Sequence, residues 1–231
     1  MKSLRMLSDL ADLFYPRICP GCGYPLRQTE QALCLFCKHK LPKTRFASFQ
    51  DNPVAQLFWG RKAIYQADAW LFFRKKGMAQ RLMHDLKYHG NAALGKEMGI
   101  LYGRDLLQRN LAMPDLISSV PLHPDKRKRR GFNQSECIAE GMASVLNVPF
   151  DPGFLFRDSD AVSQTRKKRY ERWENAEGTY RVRPVQNGFS GHVAIVDDVL
   201  TTGATLEACA QAIGSSGITE ISLFSLCLAI K

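Results

Sequence analysis

Long apolar runs are missing from this chain: no stretch of its 231 residues approaches the length of a membrane-spanning helix. The first ten residues, Met1 to Leu10, are broken by charge, with Asp9 where a secretory signal would keep a continuous apolar core. The expectation is a cytoplasmic protein with no membrane insertion. Internal repeats and low-complexity tracts are also missing, which argues against a solenoid or a long flexible linker. Acidic charge is in short supply, 22 Asp and Glu against 32 Lys and Arg, for a formal net charge of +10. That balance favours a polyanionic ligand or nucleic acid without establishing either. The rest is ordinary for a globular protein, 45% hydrophobic and 23% charged. The length suffices for one well-buried α/β domain and a small appendage.

Cysteine, by contrast, is plentiful. In a reducing compartment the seven cysteines argue for metal ligation or core packing before disulfides. Cys19-Pro20-Gly21-Cys22 and Cys34-Leu35-Phe36-Cys37 are two Cys-x-x-Cys pairs separated by eleven residues. Each pair can chelate one edge of a tetrahedron, and Gly21 and Gly23 permit the tight turns whose N–H groups support the sulfurs. The gap is shorter than is usual between such pairs, but a short hairpin can span it. The pattern favours a structural Zn²⁺ on Cys19, Cys22, Cys34 and Cys37 over a redox dithiol or unliganded thiols. Four protein ligands leave no position for water, so the metal would staple rather than catalyse. His39 follows closely and reads better as an exposed histidine than as a ligand. Cys137, Cys209 and Cys227 are isolated and expected in the core.

Along the chain, Leu4, Leu7, Leu10, Leu13 and Phe14 recur at helical spacing. Residues 1–45 are read as a helix and zinc-finger region, Arg45 to Arg61 as a linker, and residues 60–231 as the main domain. Alternation in Ala63 to Phe73 suggests a strand or hairpin. Leu82 with Leu86, and Leu94 with Met98 and Leu101, indicate two helices. Leu116 to Val120 reads as a strand, Asn133 to Leu146 as a helix capped by Asn133 or Ser135, and Ile221 to Ile230 as a final buried strand. Strands alternating with helices give an α/β fold with a mainly parallel sheet.

The most specific stretch is His192-Val193-Ala194-Ile195-Val196-Asp197-Asp198-Val199-Leu200-Thr201-Thr202-Gly203-Ala204-Thr205. An apolar run that breaks into two carboxylates suits a buried parallel strand, and ligands of open α/β sheets sit where such strands end. The small residues from Thr201 to Thr205 let backbone N–H groups converge on a phosphate, and a helix beginning near Thr205 would aim its positive end at the same anion. Two cationic segments accompany it. Lys126-Arg127-Lys128-Arg129-Arg130 follows the strand at Leu116 to Val120. Gln164-Thr165-Arg166-Lys167-Lys168-Arg169-Tyr170-Glu171-Arg172-Trp173 interleaves cations with aromatics. A charge run is most often a solvated loop, yet both lie between elements that should converge on one edge of the sheet.

The apolar strand, acidic pair and Thr-Thr-Gly-Ala-Thr loop closely resemble the phosphoribosyl-pyrophosphate (PRPP) motif of type I phosphoribosyltransferases. With the zinc motif, Leu86-Lys87-Tyr88-His89-Gly90, the Pro121-Leu122-His123 to Arg130-Gly131-Phe132-Asn133-Gln134 segment and the Gln164-Thr165 to Asn175 segment, nearly the whole chain resembles the ComF family. The resemblance implies a type I phosphoribosyltransferase-like sheet flanked by helices, a small N-terminal zinc finger built on four cysteines, and a role in DNA uptake during natural competence. It also implies that Asp197 and Asp198 hold the ribose hydroxyls while Thr201, Thr202, Gly203, Ala204 and Thr205 wrap the 5′-phosphate. Glutamine-dependent amidotransfer is disfavoured, because that chemistry needs a cysteine nucleophile at the mature N-terminus, whereas this sequence opens Met1-Lys2 and Cys19 is assigned to zinc.

Two readings stay open. As an enzyme, the protein would take Mg²⁺–PRPP with the pyrophosphate near Lys126, Arg129 or Arg130, and the carboxylates would stabilise an oxocarbenium-like state. The acceptor is not legible. As a binding protein, it would hold single-stranded DNA on Arg127, Arg166 and Arg169, with Tyr170 stacking. The resemblance adds a competence helicase and a homodimer as expected partners without defining an interface.

Overall fold

Valine, isoleucine and leucine crowd both faces of the strands that form a fully parallel four-stranded sheet, as burial on both sides requires. The computed structural model describes residues 15–60, 64–157, 179–184 and 191–229. Its sheet has the order β1-β6-β5-β2, from β1 (Ile64–Phe73), β2 (Leu116–Ser119), β5 (Val193–Leu200) and β6 (Ile221–Ala229). A separate antiparallel pair joins β3 (Leu155–Arg157) to β4 (Tyr180–Val182). The helices are α1 (Leu35–His39), α2 (Pro53–Gln56), α3 (Met78–Tyr88), α4 (Ala92–Gln108), α5 (Pro124–Arg130), α6 (Gln134–Leu146) and α7 (Ala204–Gly214). One core joins Leu82, Leu86, Met98, Ile138 and Met142 to Trp70, Val196 and Phe224; the other joins Phe58, Leu155, Leu206 and Ile213 to Ala69, Ile195 and Leu223. The parallel α/β sheet flanked by helices is thus as expected.

Helices α4 and α6 touch backbone to backbone. A Cβ on Gly99 would stand 2.1 Å from the Ile138 carbonyl oxygen, and one on Gly141 would stand 2.2 Å from that of Lys96. This close crossing sets the height of α6, whose first residues reach the carboxyl ends of the strands.

Expectations change or sharpen at three places. Residues 45–60 are packed rather than a linker: Asn52 caps α2 and donates to the Ala67 carbonyl at 2.8 Å, while Val54, Ala55 and Phe58 are buried. A four-residue helix is too short to leave a periodic pattern, so only its buried residues betray it. The segment is also clamped by Arg109, which donates to the Phe46 carbonyl and to both oxygens of the buried Asp68, at 3.0 and 2.9 Å. Of the strand or hairpin expected between Ala63 and Phe73, the described residues form one strand, Ile64–Phe73. The cations from Lys126 to Arg130 are helical, with Pro124 at the first turn and His123 accepting from the Asp125 N–H at 3.2 Å. The Leu4 to Phe14 helix lies outside the described residues.

Candidate functional site

The knuckle formed by the first two cysteine pairs comes first in the chain. The sulfurs of Cys19, Cys22, Cys34 and Cys37 all lie within 4.8 Å of one another, and those of Cys22 and Cys34 are 3.7 Å apart. Tetrahedral Zn–S bonds of roughly 2.3 Å put sulfurs about 3.8 Å apart, so the cluster could hold a metal ion such as zinc. The Cys34 N–H donates to the Cys19 sulfur at 3.5 Å and the Cys37 N–H to the Cys34 sulfur at 3.4 Å. Burial opposes ionisation of Cys19, yet N–H groups of Cys34, Cys22 and Gly21 bring its thiol down to about 7. Burial pushes Cys37 far up instead. Without a counter-cation, four thiolates cannot coexist there. His39 is exposed, whereas Cys209 and Cys227 are fully buried, as read from the sequence.

The knuckle is fastened to the sheet's helices. Glu97 of α4 accepts the N–H groups of Ala32 and Leu33 at 2.8 and 2.9 Å and pairs with Lys38 at 2.5 Å. Arg81 of α3 donates twice to the Gly21 carbonyl, at 3.1 and 2.8 Å.

The second candidate lies at the carboxyl ends of the strands. Strand β5 does not stop at Val196: it pairs with β6 through Asp197 and on to Leu200, so the acidic pair lies within the strand. The chain then bends through Thr201 to Gly203, and α7 begins at Ala204. Gly203 caps α7 at φ 85°, with Phe58 carbons 3.1 Å from where a Cβ would stand, so both conformation and space require glycine. Asp197, Thr201, Thr202, Gly203, Ala204 and Thr205 line a small open hollow. The first-turn N–H groups of α7 have no intrahelical acceptors, and Ala204, Thr205 and Leu206 of that turn line the hollow.

Neighbouring elements hold the two carboxylates. Ser135, at the start of α6, donates to Asp197 Oδ1 at 3.2 Å, and the Asp198 N–H donates to the same oxygen at 2.8 Å. Lys87, at the end of α3, pairs with Asp198 Oδ2 at 2.8 Å. Burial, then the charge of Asp198, push Asp197 up to about 7 against those favourable contacts. Asn133 ties α6 to the end of β2 by donating to the Val120 carbonyl at 2.9 Å. Lys87 and Ser135 are thus members of the site that spacing alone does not single out. Their signals were the Leu86 to Gly90 element and the Phe132-Asn133-Gln134 stretch.

The basic helix α5 divides in two. Lys126, Lys128 and Arg129 are exposed, and Arg127 is engaged by Glu136 at 2.9 and 3.2 Å. Arg130 turns inward, donating to Gln134 at 2.7 Å with its guanidinium 6.0 Å from the Tyr88 ring centre. Arg166, Arg169 and Tyr170 lie outside the described residues.

No family model matches the chain. The DNA utilization protein YhgH of Salmonella typhimurium is 30% identical over 216 residues, covering 91% of this chain and 83% of that protein. Competence protein ComFC of Streptococcus pneumoniae is 26% identical over 211 residues, 90% of this chain and 79% of that protein. The chain belongs to the ComF family. Among solved structures, a hypoxanthine phosphoribosyltransferase from Staphylococcus aureus overlaps 58% of this ComF-family chain and 62% of its own, at 14% identity and a TM-score of 0.38. That overlap is loose, and the parallel sheet is read from the chain's own strands. Among the described residues, no helix is long and apolar enough to cross a membrane.

Proposed function

We propose that this protein binds PRPP or a closely related phosphosugar at the end of β5 and serves DNA uptake or utilization. The observation that carries the reading is the continuous run of β5, the acidic pair, the Thr201 to Gly203 bend and the start of α7, with Lys87 and Ser135 gripping the two carboxylates. A 5′-phosphate in the hollow would accept from the first-turn N–H groups of α7 and from threonine hydroxyls. Ribose hydroxyls would donate to Asp197 and Asp198. Arg130, with Lys126 and Arg129 beyond it, would face the pyrophosphate. Mg²⁺ accompanying the pyrophosphate would neutralise charge on the leaving group, and carboxylate oxygens are the hard donors such an ion prefers. In the knuckle, Zn²⁺ would be structural, because all four positions are filled by thiolates.

The DNA side of the proposal is supported by relatives named as DNA utilization and competence proteins. A second reading, a single-strand-binding protein without turnover, is favoured by the exposed cations Lys126, Lys128 and Arg129 on α5.

Calorimetric titration of the zinc-loaded protein with PRPP and Mg²⁺, near physiological ionic strength, tests the phosphosugar site. Saturable one-site binding is expected, with affinity falling at least tenfold in the Asp197→Asn, Asp198→Asn double variant. Unchanged affinity in that variant would remove the assignment, as would no binding at all.

A further inference from the structure

Where α3 ends, two histidines and a carboxylate stand together, and neither the cysteine knuckle nor the acidic pair of β5 uses them. His84 lies on α3 and His89 is its C-cap. Both are exposed, and both line the open groove between α3 and the knuckle. Their ring centres are 5.5 Å apart, with the planes at 73°. Two imidazoles on one tetrahedral ion, each with its nitrogen about 2.1 Å from the metal, hold their ring centres roughly 5 Å apart. The spacing of the pair is thus close to that of shared ligation, and the exposed ring of His84 has room to turn a nitrogen toward its partner.

The ring of His89 is already oriented. Its Nδ1 lies 2.9 Å from Asp85 Oδ1, and Asp85 Oδ2 accepts from Asn91 Nδ2 at 2.7 Å. Asn91 is fixed in turn, because its Oδ1 accepts the Leu94 N–H at 3.0 Å as the cap of α4. A helix-surface ion pair would need only one of the Asp85 oxygens; tying the second to the cap of α4 holds the carboxylate at one angle. An ionised carboxylate can only accept, so Nδ1 carries the proton and the lone pair of the neutral ring is on Nε2. A carboxylate behind a histidine is how metal sites fix the tautomer and raise the basicity of the ligating nitrogen. The charged residues lining the groove are Arg81 and Asp85, and Arg81 is engaged by the Gly21 carbonyl.

We infer that His84 and His89 form a second metal site, which takes a divalent transition-metal ion of the zinc class through two imidazole nitrogens, with Asp85 orienting His89. Imidazole suits zinc, nickel or copper, whereas magnesium and calcium prefer oxygen donors. Two protein ligands leave positions for water, so this ion is exchangeable, where an ion in the knuckle would be enclosed by four thiolates. By joining His84 to the cap residue, it clips the last turn of α3, the turn that carries Lys87.

The test dialyses the zinc-loaded protein against buffered Zn²⁺ and counts metal per chain by atomic emission. Two ions per chain are expected, the second filling at micromolar free zinc, and one in the His84→Gln, His89→Gln double variant, whose cysteines are untouched. As the second ion binds, nitrogen-15 resonances should move at Nε2 of His89 and at one nitrogen of His84, and not at the other histidines. Asp85→Asn should weaken the second ion about tenfold or more. A parent that stops at one ion, or a second ion that persists in the double variant, overturns the inference. So does loss of both ions together in that variant, which would make the histidines part of the knuckle's own metal site. Parent affinity in Asp85→Asn overturns the orienting role of the carboxylate.

Discussion

The cysteine knuckle and the acidic site differ in how far along the chain their parts are gathered. All four sulfurs come from the short stretch between Cys19 and Cys37, point at one another and are largely withdrawn from solvent. The acidic site draws Lys87 from α3, Ser135 from α6 and Asp197 to Thr205 from β5 and the bend after it. It stays open. A closed metal site can be written in local spacing because its ligands need only each other. An exchangeable ligand site needs groups whose partners can be released, such as the Lys87 to Asp198 pair, and tertiary structure has to supply them.

The sharpest way to break the comparison is to set the zinc-loaded protein against the metal-free one. Chelation, or Cys37→Ser, leaves thiols and thiolates crowded in a core they share with Leu82, Leu86 and Trp70. A loss of about 4 kcal/mol or more is expected, which for a chain of this size is a fall in Tm of roughly 8–16 °C. Calorimetry with parallel metal analysis checks it. A metal-free protein that melts where the loaded one does would show that the knuckle is held by its packing alone.

A smaller effect is expected at the joint between knuckle and sheet. Glu97 is buried and accepts the backbone N–H groups of Ala32 and Leu33. Glu97→Ala orphans both and frees Lys38, at a cost of about 2–3 kcal/mol. Metal content should be unchanged, because the sulfurs do not depend on that carboxylate. Glu97→Gln keeps one acceptor oxygen and should recover part of the loss. A variant that also loses its metal would mean that α4 shapes the knuckle rather than merely anchoring it.

The same contrast explains what could be read in advance. The parallel sheet, the helices at α3, α4 and α6, the Asn133 cap and the four-cysteine cluster follow from local periodicity and spacing. The Asn52-capped turn of α2 does not, since Val54, Ala55 and Phe58 are buried by contacts with β1 and the start of α7. Helix α5 was masked by its own charge: a run of five cations reads as a loop until Pro124 and His123 are seen to start it and Gly131, at φ 79°, to end it. Lys87 and Ser135 carry no signal of their function by themselves. Each is an ordinary surface residue type at the end of a helix, and only the crossing of α4 and α6 and the reach of α3 bring them onto the acidic pair.

The subtlest expectation concerns Asp197. In the folded protein burial and the neighbouring Asp198 lift its carboxyl from an ordinary 3.8 to about 7. A carboxyl raised on folding binds its proton more tightly in the native state. Its contribution to stability is therefore complete below about pH 4 and is lost as pH rises through about 7. Asp197→Asn, which keeps the shape and removes the charge, should flatten that decline, so the variant gains on the parent from pH 5 to 8 while losing phosphosugar affinity. Denaturant unfolding at a series of pH values reads the difference directly. Parallel curves for the two proteins would mean that Asp197 is already ionised at neutral pH, with Ser135 and Lys87 outweighing the burial. The pair would then meet its ligand as two full charges, and the closed knuckle and the open site would differ in exposure more than in how they manage charge.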